Sequence, residues 1–222
     1  MTAVVEWGQR DYSEALESMR SMVRARREGA IPDTLILVEH PPVVTVGVEG
    51  DDGSAATSGL PTVSVERGGR ATYHGPGQLV GYPIVDLAPR GKDVRRFVHD
   101  VEEVVVRSVA AFEVEAGHVH GKRGVWVGGE RKIASIGIAV DHWVTFHGFA
   151  LNVDPDLGAF DRFRPCGFSG SVMTSLSREV GRPVHIAEVT PHLVEAWREV
   201  FAPPSDRPTS VGSLLEAPPA RA

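Results

Sequence analysis

Tyr12, Leu16, Met19 and Val23 recur at intervals of four, three and four, which is the spacing of one buried face of a helix. Asp11, followed three residues later by Glu14, has the form of a capping box with Asp at the cap. Gly29, with Pro32 just beyond it, marks the stop. The period then shortens. Thr34–Glu39 and Val43–Val46 are β-rich runs split by Pro41-Pro42, which predicts adjacent strands joined at a rigid corner. Glu49–Gly59 is acidic, small and Gly/Ser-rich and reads as a mobile loop. Thr62–Glu66 alternates as a strand, Arg67–Gln78 is a glycine-dense segment, and Leu79–Leu87 reads as another strand.

The strongest helical pattern follows Asp93 and runs to about Phe112, with Val94, Phe97, Val98, Val101, Val104, Val105 and Ala110 inward. Gly124–Val127, Gly128-Gly129 and Lys132–Val140 then read as strand, tight turn and strand, because a Gly-Gly pair supplies the positive φ values of a hairpin. Trp143–Val153 predicts a further strand, Asp154–Gly170 a loop, Ser171–Arg178 a short helix, and the last helix ends near Phe201. Residues 1–203 are read as one catalytic domain, and 204–222, rich in proline, as a poorly ordered tail. Strands in hairpin-like pairs, with helices between the groups, favour an α+β fold over a regular βαβ array.

Composition narrows the function. Of 222 residues, 42% are hydrophobic, enough for a real core, and the net charge of −6 argues against a non-specific binder of nucleic acid or anionic membrane. No uncharged apolar run approaches the roughly 18–20 residues that span a bilayer. Residues 1–12 lack the basic stretch and apolar run of a signal peptide. A single cysteine forms no internal disulfide. The expectation is a cytoplasmic protein with no nucleic-acid or membrane partner.

Four segments carry candidate chemistry. Cys166 sits in Arg-Pro-Cys-Gly-Phe-Ser-Gly, a turn context with Arg162 and Arg164 nearby, and cations favour a thiolate, although a lone cysteine is more often a small buried hydrophobe. Arg67-Gly-Gly-Arg-Ala-Thr-Tyr-His-Gly-Pro-Gly-Gln78 lets backbone amides approach a ligand, but is neither a Walker A loop nor a GxGxxG turn. Gly129-Glu-Arg-Lys-Ile-Ala-Ser-Ile-Gly137 places Lys132 at the start of a strand. Phe146-His-Gly-Phe-Ala-Leu-Asn152 places a histidine inside one. His118 and His120 alternate without further ligands at metal-site spacing, so no metal is expected.

Together and in this order, the four segments resemble the octanoyltransferases of lipoic acid synthesis, the LipB family, over most of the chain up to about Phe201. The resemblance implies a single domain of the biotin/lipoate protein ligase type, with a larger mixed sheet, a smaller sheet and flanking helices. It implies transfer of an octanoyl group from the phosphopantetheine thioester of acyl carrier protein to a lysine of lipoyl domains, in 2-oxoacid dehydrogenase E2 subunits and the glycine cleavage H protein, with no cofactor and no ATP. This is the first committed step of protein lipoylation.

By the same resemblance Cys166 is the nucleophile and Lys132 its acid/base partner. The substrate-binding positions are Arg67, Gly68, Gly69, Arg70, Ala71, Thr72, Tyr73 and His74, then Ser135, Ile136 and Gly137, then Gly148, Phe149 and Ala150. An unperturbed thiol, with a pKa near ~8.5, is only a few per cent thiolate at pH 7 and needs such a partner. His74, at an ordinary ~6.5, is the second choice of base. Arg67, Arg70, Lys122, Arg123, Arg131, Lys132, Arg162 and Arg164 are expected to form a basic rim that docks acidic partners. Three other readings stay open at this point: an ATP-dependent lipoate or biotin ligase, a carrier-binding module without turnover, and a Cys–His hydrolase using Cys166 with His74 or His147.

Overall fold

The computed structural model describes residues 2–163 and 169–202. The chain begins with a strand that no sequence signal announced, β1 (Ala3–Gln9), followed by α1 (Tyr12–Arg27). Asp11 caps α1 by accepting from the Ser13 and Glu14 amides, and Tyr12, Leu16, Met19 and Val23 are buried as their spacing predicts. Next come β2 (Thr34–Glu39), β3 (Val43–Val46), a single helical turn α2 (Ser54–Thr57), β4 (Thr62–Ser64), β5 (Ala71–His74) and β6 (Gln78–Ile84). A 3-10 turn at Ala88–Arg90 leads into α3 (Val94–Ala110), capped by Asp93. Then follow β7 (Ala116–Val119), β8 (Lys122–Val127), β9 (Arg131–Asp141) and β10 (Val144–Asn152). Two 3-10 turns at Leu157–Arg162 and Gly170–Val172, α4 (Leu176–Val180) and α5 (Ile186–Val200) close the described chain.

Seven strands form one mixed sheet in the order β1-β2-β6-β10-β9-β8-β7. The β1–β2 pair is parallel, across the α1 connection, and the other neighbours are antiparallel. A smaller sheet, β4-β3-β5, pairs β3 parallel to β4 and antiparallel to β5. The large sheet is covered on both faces, which is why β2 and β6 read as continuous apolar runs. Leu35, Leu37, Leu79 and Leu151 face α3 and α5 in one cluster. Ile36, Val38, Val80 and Ile84 face α1 in a second. The alternation is thus real but hidden, because both faces are dry.

Four expectations are corrected. Residues 49–59 contain the α2 turn, where Asp51 and Asp52 accept from the Gly53, Ser54 and Ala55 amides. The glycine-dense segment contains β5, buried along its whole length. Residues 171–178 are a 3-10 turn followed by α4, which begins only at Leu176 behind its Ser175 cap. The loop expected over 154–170 likewise winds into a 3-10 turn at Leu157–Arg162. Residues 204–222 lie outside the described residues.

Candidate active site

A cavity of about 280 Å³ opens between the α1 face of the large sheet and the glycine-rich segment. From that segment Arg67, Gly69, Arg70, Thr72 and His74 line it. From β9 it takes Lys132, Ser135, Ile136 and Gly137, and from β10 it takes Gly148, Phe149 and Ala150. Three of the four sequence segments therefore converge on one space. Gly68, Ala71 and Tyr73 do not line it. Ala71 and Tyr73 instead pack with Phe160 and Met173 in a third apolar cluster. Cys166, with Arg164, lies outside the described residues.

The glycine-rich segment is built to lie flat on the sheet. Gly137 and Gly148 are cross-strand partners in β9 and β10. A Cβ on Gly137 would stand 2.9 Å from Arg67 Cδ and 3.0 Å from the Gly68 carbonyl oxygen, so only glycine lets the segment settle there. Gly68 donates its amide to the Ile138 carbonyl at 3.0 Å. The buried Arg67 guanidinium pins the loop from within. It donates to Thr45 O at 2.7 Å, Thr45 Oγ1 at 2.8 Å and Arg70 O at 2.8 Å. Its part in shaping the cavity is thus to hold backbone, a role that residue type alone did not indicate.

A histidine–tyrosine cluster forms the inner end. His147 has φ +54°, a left-handed conformation rare for a strand residue. This departure turns it to the same face as Phe146, with which it stacks, and brings its Nδ1 to 3.3 Å from the Tyr12 hydroxyl. Tyr12 stacks on His74, and His40 Nε2 lies 2.7 Å from the Tyr82 hydroxyl. Burial holds the His74 imidazole well below its ordinary value and takes His147 down to about 4; His40 is lowered by the same cause. Burial raises the Tyr12 and Tyr82 hydroxyls. Neutral, dry imidazoles are poor proton acceptors at pH 7, which weighs against His74 or His147 as the base of a Cys–His hydrolase. Tyr12, Tyr82 and His40 escaped the sequence reading because Tyr12 fits a core stripe and the other two carry no motif signal.

The same shifts have a stability consequence. Between the ordinary ~6.5 and the folded values, the unfolded chain binds protons that the native state refuses, so stability falls as pH drops through that window. A His147 imidazole held at about 4 would contribute on the order of 2 kcal/mol between pH 7.5 and 5. Urea unfolding is expected to show lower stability at pH 5 than at pH 7.5, and equal stabilities would mean these imidazoles are not held neutral.

Lys132 is the notable buried cation, only 2% exposed. The β8–β9 register shifts between Val125 and Trp126, which pair with Ala134 and Lys132. This bulge re-aims the strand at its entry, and it places Lys132 Nζ 5.7 Å from the Trp126 ring centre. The Lys132 carbonyl accepts the Thr174 amide at 3.0 Å, and Lys132 bridges to Met173. The segment following Cys166 is thereby tied to the strand that carries Lys132. Gln78 and Asn152 complete the tie: Gln78 donates to Asn152 Oδ1 at 2.8 Å, and Asn152 donates to the Thr174 carbonyl at 2.9 Å.

Arg70, Lys122 and Arg123 line the cavity at its mouth, together with Glu49, which ion-pairs with Arg123 and accepts from the Gly69 amide. The Arg123 contact holds the Glu49 carboxyl below its usual range. Arg131, expected in this rim, is instead gripped by both Glu179 oxygens at 2.8 and 2.9 Å. Among the described residues no group of three or more His, Cys, Asp or Glu side chains could hold a metal ion. Nor is any described helix long and apolar enough to cross a membrane.

Residues 11–198 match the family described as the lipoyl protein ligase A/B catalytic domain. An octanoyltransferase of Rubrobacter xylanophilus is 48% identical over 87% of this chain and 90% of its own length. One of Geobacter sulfurreducens is 45% identical over 83% of this chain and 78% of its own. Among solved structures, a lipoate-protein ligase A bound with ATP superposes with a TM-score of 0.71 at 18% identity, covering 90% of this chain and 85% of its own. A bipartite lipoate protein ligase of Thermoplasma acidophilum gives 0.69 at 16% identity, covering 90% and 84%. At such identities these structures speak for the fold, a larger seven-stranded and a smaller three-stranded sheet with flanking helices.

Proposed function

The chain belongs to the octanoyltransferases of the lipoyl protein ligase A/B catalytic-domain family, and from that premise we propose that it moves an octanoyl group from the phosphopantetheine thioester of acyl carrier protein to a lysine of lipoyl domains, through a thioester on Cys166. The observation that carries this reading is Lys132, a buried lysine at the cavity, on a strand bonded to the segment that follows Cys166. The acceptors are lipoyl domains of 2-oxoacid dehydrogenase E2 subunits and the glycine cleavage H protein. The reaction takes place in the cytoplasm and needs no ATP and no cofactor.

The chemistry runs in two halves. In the first, the Cys166 thiolate attacks the donor carbonyl, a new C–S bond forms and the old one breaks. The departing pantetheine sulfur takes a proton from the Lys132 ammonium. In the second, the acceptor lysine arrives as the free amine and attacks the acyl-enzyme carbonyl. The C–N bond forms, Cys166 leaves as thiolate, and Lys132, now neutral, takes the amine proton. Both protonation states are restored at the end of the cycle. Ser135, Gly137, Gly148 and Ala150 leave room for the acyl channel, Ile136 and Phe149 give it apolar wall, and Thr72 and His74 form part of its lining.

Octanoyl-acyl carrier protein and a lipoyl domain, mixed with the enzyme in the absence of nucleotide, are expected to yield an octanoylated domain by intact mass. Transfer that requires free octanoate and ATP would replace this reading with that of a ligase. Tight carrier binding without product would make the chain a binding module. The mouth gives a second expectation. Arg70 and Lys122 face it without the double carboxylate grip that Arg131 receives. Arg70→Glu combined with Lys122→Glu is expected to raise KM for the acyl carrier protein by about tenfold and to flatten its salt dependence, with kcat little changed. An unchanged KM and salt profile would place docking elsewhere.

A further inference from the structure

Glu102 lies on α3, outside the cavity lining, and its side chain is 12% exposed. One oxygen accepts the Gly124 amide at 2.9 Å, and the other lies 2.9 Å from His118 Nδ1. His118 is itself stacked on His99, with ring centres 4.5 Å apart. Gly124 is buried, has φ +100°, and sits where a Cβ would come within 2.8 Å of Lys132 Cε. The backbone of Gly124 therefore forms one wall of the slot that holds the lysine stem. That wall stands beside the β8–β9 bulge, where regular ladder bonding is interrupted.

We infer that Glu102 is a positioning residue for the transfer reaction: it fixes Gly124, and through Gly124 the stem of Lys132, so that the ammonium is aimed into the cavity. This rests on the role given to Lys132 above. A strand interrupted by a bulge has lost the neighbouring amide–carbonyl bonds that would otherwise hold it, and a buried amide in such a place needs a side-chain acceptor. Glu102 supplies one from a helix that is locked into the core through Phe97, Val101, Val104 and Val105. His118 fixes the second oxygen and so prevents the carboxylate from rotating away. Glycine is needed at 124 because φ +100° lies in the left-handed region and a Cβ would collide with the Ala134 carbonyl oxygen, as well as stand 2.8 Å from Lys132 Cε.

The test compares Glu102→Leu, Glu102→Gln, Glu103→Gln and Lys132→Ala in steady-state and single-turnover octanoyl transfer. Leu matches the bulk but cannot accept the Gly124 proton. Gln still can, and neutral His118 can take the other tautomer to meet its amide. Glu102→Leu is expected to lower kcat about 10- to 100-fold, with KM for the acyl carrier protein within about twofold. Gln is expected to restore most of the rate, and Glu103→Gln to behave as wild type. Where the Leu variant unfolds, Glu102→Asp, which keeps the charge but shortens the reach, is read in the same way. A wild-type kcat in the Leu or Asp variant, or an equal loss in kcat and KM that Gln does not rescue, overturns the inference while an inactive Lys132→Ala leaves the lysine's own role standing. An active Lys132→Ala would instead remove that role, and this inference with it.

Discussion

Octanoyl transfer by the Cys166→Ala variant is expected to fall by about 10^4- to 10^6-fold, the scale of losing a covalent nucleophile. The argument is chemical. Two macromolecular substrates share one acyl group, and a thioester on the enzyme lets the first leave before the second arrives. Without the sulfur, the acceptor amine must attack the carrier thioester directly, with both partners at the same cavity mouth. Intact mass after exposure to octanoyl-acyl carrier protein reads the difference. Wild type is expected to gain one hydroxylamine-labile octanoyl group that a lipoyl domain discharges, and the alanine variant none. Transfer by the alanine variant at a rate near wild type would mean direct attack, and would end the covalent reading.

Lys132→Ala is expected to cost about 10^2- to 10^4-fold in kcat, the range for a positioned acid or base. In the proposed cycle the loss should fall on both half-reactions, because there the same amine gives a proton to the leaving pantetheine and takes one from the incoming lysine. Single-turnover acylation, followed separately from discharge, is the measurement that separates the two steps. A variant slow in only one half would confine Lys132 to that half. On the same proposal the rate of Cys166 alkylation at pH 7 should fall as well, since an ammonium partner favours a thiolate. Alkylation at the wild-type rate would mean that the thiolate is stabilised by something else. The lysine is buried, so its removal also leaves space beside Trp126 and Gly124. Lys132→Met keeps the apolar stem and tests whether the charge or the packing is responsible.

Much of this could be read from residue order. Helices α1 and α3 were legible because each buries one stripe at helical spacing and begins at an aspartate whose carboxylate accepts the first free amides. The β8–β9 hairpin was legible because Gly128 and Gly129 both adopt positive φ. Strand β1 was not. Its alternation is weak, its residues are half-buried or exposed, and it exists because the α1 connection returns β2 beside it in parallel. Strand β5 was concealed inside a segment whose glycines dominated the reading, and the ladder to β3 that creates it joins residues far apart in sequence.

The site divides along the same line. Residue order alone marked the three segments that converge on the cavity, because amide-exposing glycines, a lysine at a strand start and a histidine within a strand are properties of residue types and their neighbours. It also determined the family, through four segments in one order. Only the tertiary structure decided that Arg67 spends its guanidinium on Thr45 of β3, that Arg131 is held by Glu179, that His147 leaves strand geometry to meet Tyr12, and that Glu102 reaches Gly124 behind Lys132. Each of these is a contact between groups distant along the chain. Such contacts leave no local periodicity, and they form only when a sheet covered on both faces brings β6, β9 and β10 side by side and the helices α1 and α3 close over its two sides.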